Sequence, residues 1–162
     1  MREVVRYCRL DTGSHSVWDA VSDLSAMINW YPQAEGVEKL TGPDKGIGRI
    51  QRVRYRMGRR KAAIDSEIVE WRPAHLIVWR QVREFHGTKQ APLLADDILT
   101  RVTVNGIGES GETCDFCVQV SWVPVGLKGE LAAETVVRPR TERFADNLVD
   151  YLRGRFGDLP LC

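Results

Sequence analysis

Apolar residues recur at two spacings along this chain, and the places where one spacing yields to the other mark its elements. The opening stretch EVVRYCRLD is short, rich in β-branched and aromatic residues and followed by TGS, so it reads as a strand. In SHSVWDAVSDL the residues Val17, Trp18, Val21 and Leu24 fall instead at helical spacing. Ser16 is the expected cap of that helix, with Asp19 three residues on, near its positive end. SAMINWYP carries one or two further helical turns, which Pro32 stops because the residue before a proline avoids the α region. Two short helices therefore follow the first strand.

Strand texture then takes over. EGVEKLTG, GRIQRVRYRM, KAAIDSEIVEW, HLIVWRQVREF, DILTRVTVN and TCDFCVQVSWVPV follow in turn, parted by GPDKG, MGRRK, RPA and NGIGESGE. Every connection but one is short enough for a hairpin, which favours an antiparallel meander over crossovers. The exception, HGTKQAPLLAD, is long enough to shape a rim. The tail returns to helical period, with Val137, Phe144, Leu148, Tyr151 and Leu152 on or near one face. Pro139 is expected to kink or divide this helix, since it removes one backbone donor and clashes with the preceding turn. No repeat, low-complexity segment or linker interrupts the chain, so residues 1–162 read as a single domain.

One spacing points elsewhere. Cys114 and Cys117 form a C-x-x-C pair, the arrangement of zinc knuckles and thiol redox sites. Their stretch alternates as a strand, however, and residues three apart on a strand point to opposite faces. Phe116, Val118, Val120 and Trp122 form the apolar face with Cys114, whereas Cys117 shares the other face with Asp115, Gln119 and Ser121. The pair reads as strand, and no metal or other cofactor is expected.

The order strand, two helices, six-strand meander and long C-terminal helix resembles a helix-grip fold. VWDAVSDLSAMINWYP resembles that family's V-W, Asp and W-Y-P pattern, GIGRIQRV its glycine hairpin, and IVEWRPAHLIVWR its Pro-containing turn between strands. From about Val4 to about Phe156 the chain is thus similar to the SRPBCC superfamily of START-like lipid-transfer domains, plant pathogenesis-related allergens and the polyketide cyclase/dehydrase family. The resemblance implies an α+β fold in which a curved seven-stranded antiparallel sheet grips the long helix, with an apolar cavity between them. Alternation places Val53, Tyr55 and Met57 inward, then Ile64, Ser66 and Ile68, then Ile98, Thr100, Val102 and Val104. The expected lining comprises Tyr31, Tyr55, Ser66, Val78 and Thr100. Phe116, Val118 and Trp122 complete it on the last strand, with Phe144 and Leu148 on the helix. Trp30 and Tyr31 lie where the family's cavity entrance is often formed. The indole reads as packing for the short helices, while the tyrosine hydroxyl needs a partner.

Two registers compete on HLIVWRQVREF. We take the one that turns Leu76, Val78, Arg80, Val82 and Glu84 inward, because the resemblance in RPAHLIVWR puts the first apolar residue after the turn inside. Trp79 then covers the outer face. Arg80 becomes an internal cation that needs Glu84, water at the mouth or an oxygen-bearing ligand as its partner.

Composition adds limits. At 43% hydrophobic and 28% charged, the chain has the make-up of an ordinary soluble protein. No apolar run approaches the roughly 20 residues of a membrane helix. The N-terminus lacks a signal-like apolar region, and four cysteines are too few for a secreted disulfide scaffold, so a cytoplasmic location is expected. A net charge of +1 argues against nucleic acid as partner, and the arginines of GRIQRVRYRMGRRK read as an outer face paired with Asp65 and Glu67. GPDKGIG lacks the Lys-Ser/Thr ending and following helix of a phosphate loop. His15, His75 and His86 are scattered, and Asp96 and Asp97 sit at a loop end where a carboxyl stays solvated. The leading expectation is a monomer or homodimer that binds or carries a small hydrophobic, partly oxygenated molecule of lipid, polyketide or aromatic type. A polyketide aromatase/cyclase-like enzyme and a protein-interaction or quinone-chaperone module are the alternatives. The absence of a triad or metal motif ranks binding first.

Overall fold

In the computed structural model, which describes residues 1–92 and 94–161, the alternating segments join into one antiparallel sheet with the helices on one of its faces. Strand β1 (Arg2–Leu10) leads into α1 (Ser14–Ser22), a 3-10 turn (Leu24–Ala26) and α2 (Met27–Trp30). Next come β2 (Ala34–Thr41), β3 (Ile50–Met57), β4 (Arg60–Arg72), β5 (Leu76–His86), a two-residue β6 (Lys89–Gln90), β7 (Ala95–Ile107) and β8 (Thr113–Pro124). The chain closes with α3 (Gly126–Ala132), a π turn (Ala133–Val137), α4 (Arg138–Phe156) and a two-residue β9 (Asp158–Leu159). Across the sheet the order is β2-β3-β4-β5-β7-β8-β1-β9, with β6 beside β5. The seven long strands are those the alternation predicts, and β6 and β9 are too short to leave a pattern.

Hydrophobic period decides which side of each strand is buried. On β8 the side chains of Cys114, Phe116, Val118, Val120 and Trp122 are all buried, while those between them are half-exposed. The two cysteines are therefore split across the sheet. Cys114 lies in the core, and Cys117 stands on the outer face opposite Tyr7, which is 60% exposed. Burial raises the thiol of Cys114 to about 11 and that of Cys8 to about 12, so both stay protonated. Cys162 lies outside the described residues.

Three local features correct or sharpen these expectations. Helix α1 starts at Ser14 with extended Gly13 as its cap, which leaves Ser16 exposed inside the first turn with no capping role. Asp23 takes that role one element later, accepting from the backbone N–H of Ser25 at 3.1 Å. Pro139 divides the C-terminal helix as expected. Its missing N–H is accommodated by the π turn ahead of it, where Arg138 N–H reaches back to the carbonyl of Ala133.

The register of β5 is the main correction. Ile77, Trp79 and Gln81 face inward, opposite Trp71, Ile68 and Ser66 of β4. Val78 and Arg80 consequently face outward. Val78 is buried between Glu70 and Arg101, which form an ion pair at 3.7 Å. The Arg80 side chain is 51% exposed and stands 4.0 Å from Asp97. Ser66 pairs with Gln81 and Asp65 with Arg83, so Val82 is an extra residue on β5. This bulge turns Glu84 inward beyond it. Each of the two competing registers thus holds on its own side of Val82.

On the outer face the arginines of β3 are taken up by carboxylates. Arg52 donates to Asp65 at 2.7 and 2.9 Å, Arg54 donates to Glu38 at 3.0 Å, and Arg56 pairs with Glu35. Asp65 also accepts from Arg83 at 2.6 Å. Glu38 and Glu35 on β2 take the pairing role expected of Glu67.

Candidate functional site

Between the sheet and α4 lie two adjoining chambers. The inner one, of about 100 Å³, is bounded by Trp30, Tyr31, Val53, Ile64, Ile98, Val120 and Phe144 among its apolar residues. Its polar residues are Gln51, Ser66, Gln81, Thr100, Thr141 and Arg140. The outer chamber, of about 310 Å³, shares Tyr31, Ile64, Arg140 and Phe144 with it and extends to Gln33, Tyr55, Arg56, Met57, Gly58 and Arg143. A third hollow of about 400 Å³ lies around Tyr7 and Cys117 on the opposite face of the sheet, away from these helices.

An aromatic wall runs along both chambers. Phe144 meets Trp30 edge-on at 5.9 Å and Tyr31 at 5.4 Å between ring centroids. Tyr31 continues the wall to Tyr55 at 6.1 Å. Trp30 does what packing predicts, donating its indole N–H to the carbonyl of Ala20 at 3.1 Å. It also lines the inner chamber.

Where the chambers meet, the Tyr55 hydroxyl donates to Glu84 Oε1 at 2.8 Å, and Arg140 forms an ion pair with the same oxygen. His86 Nε2 stands 3.8 Å from that oxygen. Burial pushes the Tyr31 hydroxyl up to about 12, against the pull of Arg140. The same causes raise Tyr55, with Glu84 adding to the shift. Both tyrosines are neutral donors near neutral pH. Burial works against the charge on Arg140, yet Glu84 and the two tyrosines outweigh it and raise the guanidinium further.

The far side of the inner chamber rests on a second polar group. The loop after β2 closes on itself through Gly42, whose φ of +88° favours glycine. The next strand enters with Arg49, 1% exposed. Its guanidinium donates to Gln51 Oε1 at 3.0 Å and to the carbonyl of Asp44 at 2.8 Å, tying the loop to the chamber wall.

Of the predicted site residues, the structure brings Tyr31, Ser66, Thr100 and Phe144 to the inner chamber, and Tyr55 to the outer one. Phe116, Val118, Trp122 and Leu148 pack in the solid core, and Val78 and Arg80 face away on the outer side of β5. Sequence reasoning missed Gln51, Trp79, Gln81 and Arg140, and it turned Glu84 inward as a partner for Arg80, where the structure gives it Arg140. Gln51 was within reach, since it continues the alternation of Val53 and Tyr55. Arg140 stands four residues before Phe144 on the same helix face.

An antiparallel sheet gripping a long helix around an aromatic-lined chamber is the helix-grip arrangement. The chain belongs to the polyketide cyclase / dehydrase and lipid transport family, whose sequence model matches residues 1–153. Its fold is similar to that of ginseng major latex-like protein 151 from Panax ginseng, at 12% identity over 98% of each chain with a TM-score of 0.71. It is also similar to the Zhui aromatase/cyclase from a Streptomyces species, at 14% identity over 94% of each chain with a TM-score of 0.66. A START superfamily protein from Mycobacterium smegmatis matches at 16% identity over 95% of this chain and 96% of that one, with a TM-score of 0.63. No curated protein sequence matches the chain. Among the described residues no helix is long and apolar enough to cross a membrane.

Proposed function

We propose that this protein binds and carries a small hydrophobic molecule bearing a few oxygens, held in the inner chamber with Arg140 at its entrance. The observation that carries the reading is the composition of that chamber. Aromatic and aliphatic side chains make most of its wall, and Ser66, Thr100, Gln81 and Arg140 offer separated hydrogen-bonding points. Such a wall supplies affinity through burial and orientation through a few polar contacts. Family membership supports the same class of ligand, of lipid, polyketide or aromatic type.

A second reading, catalysis of the aromatase/cyclase kind, is favoured by the Tyr55–Glu84–Arg140 group at the chamber entrance. A guanidinium beside a neutral tyrosine can hold a carbonyl whose negative charge grows, and Glu84 is a carboxylate in reach of a proton. The similarity to the Zhui aromatase/cyclase is in keeping with it.

Native mass spectrometry of the purified protein tests the first reading: a bound organic molecule is expected, and it should vanish from Thr100→Trp, whose indole fills the inner chamber. Retention of the same molecule in that variant would remove the chamber as its site. The second reading requires turnover of a poly-carbonyl substrate that stops in Arg140→Ala.

A further inference from the structure

We propose that the floor of the inner chamber is a subsite for a carbonyl oxygen, which accepts from the indole N–H of Trp79 and the amide N–H of Gln51. The inference rests on the reading of the chamber as a ligand site and adds the kind of oxygen that the ligand brings to its inner end.

Trp79 supplies the first observation. It faces inward on β5, is 5% exposed and lines the inner chamber. Its Nε1–H has no acceptor among the described residues. A buried donor left without an acceptor forfeits the hydrogen bonds it made to water, so such a group in a folded protein needs a reason. Trp30 lines the same chamber and shows the usual arrangement, with its own indole N–H on the carbonyl of Ala20. Five side chains among the described residues carry a buried polar atom without a partner, and Trp79 is the one of them that lines this chamber. An indole nitrogen only donates, so what it lacks is a lone pair.

Gln51 supplies the second. It pairs across the sheet with Ser66, and Ser66 with Gln81, which makes a polar row on the inward side of β3, β4 and β5. Gln51 Oε1 is occupied by Arg49, so the end of the amide left to the chamber is its nitrogen. That nitrogen carries two N–H bonds and meets Met27 Sδ, a thioether that accepts weakly. No carboxylate stands among the residues that line the chamber. Ser66, Thr100 and Gln81 each donate as well as accept, so they do not remove the surplus of donors. A carbonyl oxygen, with two lone pairs and no proton, is the neutral group that matches such a wall. An amine would add donors to donors.

The test uses 1-indanone and indane, which share a bicyclic body and differ by one carbonyl. Infrared difference spectra of the wild-type protein with 1-indanone should show its C=O stretch below the value in hexane, since accepting a hydrogen bond lowers that frequency. In Trp79→Phe, which keeps an aromatic ring and loses the N–H, the frequency should rise. A net hydrogen bond is worth about fivefold in affinity, so the ratio of indanone to indane affinity should fall about fivefold in that variant by calorimetric titration. Gln51→Glu keeps an acceptor for Arg49 and deletes the N–H groups, and it should lower the same ratio. A hexane-like stretch in the wild-type protein would overturn the carbonyl subsite without any variant. So would an unchanged stretch and affinity ratio in Trp79→Phe, with circular dichroism showing that it folds. In both cases, binding of the two probes would leave the ligand-site reading intact. Binding of neither probe would remove that reading, and the subsite with it.

Discussion

Arg49 and Gln51 face each other in the interior, with Arg49 Nε donating to Gln51 Oε1 at 3.0 Å. Because arginine only donates, the amide must turn its oxygen toward Arg49 and its nitrogen the other way, to Met27 Sδ at 2.9 Å. A buried cation therefore sets the polarity of a side chain in the inner wall.

Burial lowers the pKa of Arg49, and its Nη2 has no hydrogen-bond partner among the described residues, so the group is held at a cost. Arg49→Ala should destabilise by about 3 kcal/mol, since it strands the carbonyl of Asp44 and the Gln51 amide and opens a void. Arg49→Met should cost clearly less, because it fills the volume and removes the unpaired donor along with the charge. Urea denaturation of both variants checks this, and equal losses would contradict it.

Asp65 makes the opposite case of a buried charge that is fully matched. Burial alone would raise its carboxyl, but hydrogen bonds from Arg52 and Arg83 win and hold it below the ordinary 3.8. As pH falls through 3.8 the unfolded chain takes up a proton that the folded one refuses, so this contribution is present above that pH and lost below it. Asp65→Asn should cost about 1–2 kcal/mol at neutral pH, discounted because both arginines are partly exposed. It should also flatten the acid limb of the stability profile. A wild-type acid slope in the variant would exclude Asp65 as its source.

Tyr31 carries the mirror-image dependence at alkaline pH. Its folded value of about 12 lies above the ordinary 10, chiefly through burial. The unfolded chain ionises first, so stability is complete below 10 and declines until pH reaches about 12. Tyr31→Phe should make that decline shallower, with Tyr55 retaining part of it. Denaturant titrations on either side of the window measure the difference, and an unaltered slope would refute the assignment.

Phe144 lines both chambers and touches Trp30 and Tyr31, so it acts as their partition. Phe144→Ala should cost about 3 kcal/mol of stability. It should also raise the affinity for pyrene relative to naphthalene, because the joined space admits the larger ring system. An unchanged affinity ratio would show that the partition does not limit ligand size.

The fold is readable from sequence because most strands alternate cleanly. On β8 the run from Cys114 to Trp122 alternates without interruption, and that pattern alone assigns the C-x-x-C pair to opposite faces of a strand. The site is only half readable. Tyr31, Tyr55, Ser66, Thr100 and Phe144 follow from alternation, helical period and family resemblance. Glu84 and Trp79 could not both be found, because one residue inserted between them breaks the rule that assigns faces. Phe116, Val118, Trp122 and Leu148 share the inward side with the lining residues but meet core instead of open space. Alternation reports the side of a sheet and is silent on what lies there.

The extra residue at Val82 has a consequence for chain length. Trp79 and Glu84 stand an odd number of positions apart and both serve the interior. Deleting Val82 would bring Trp79 and Glu84 an even number of positions apart and restore strict alternation with the same residues inside. Glu84 and His86 would stay inward, and Arg83 and Phe85 would stay on the outer face. Asp65 would keep its guanidinium and Arg140 its carboxylate, and only the local twist of the bulge would go. The strand can therefore lose this residue, as well as exchange it, without trading one face for the other.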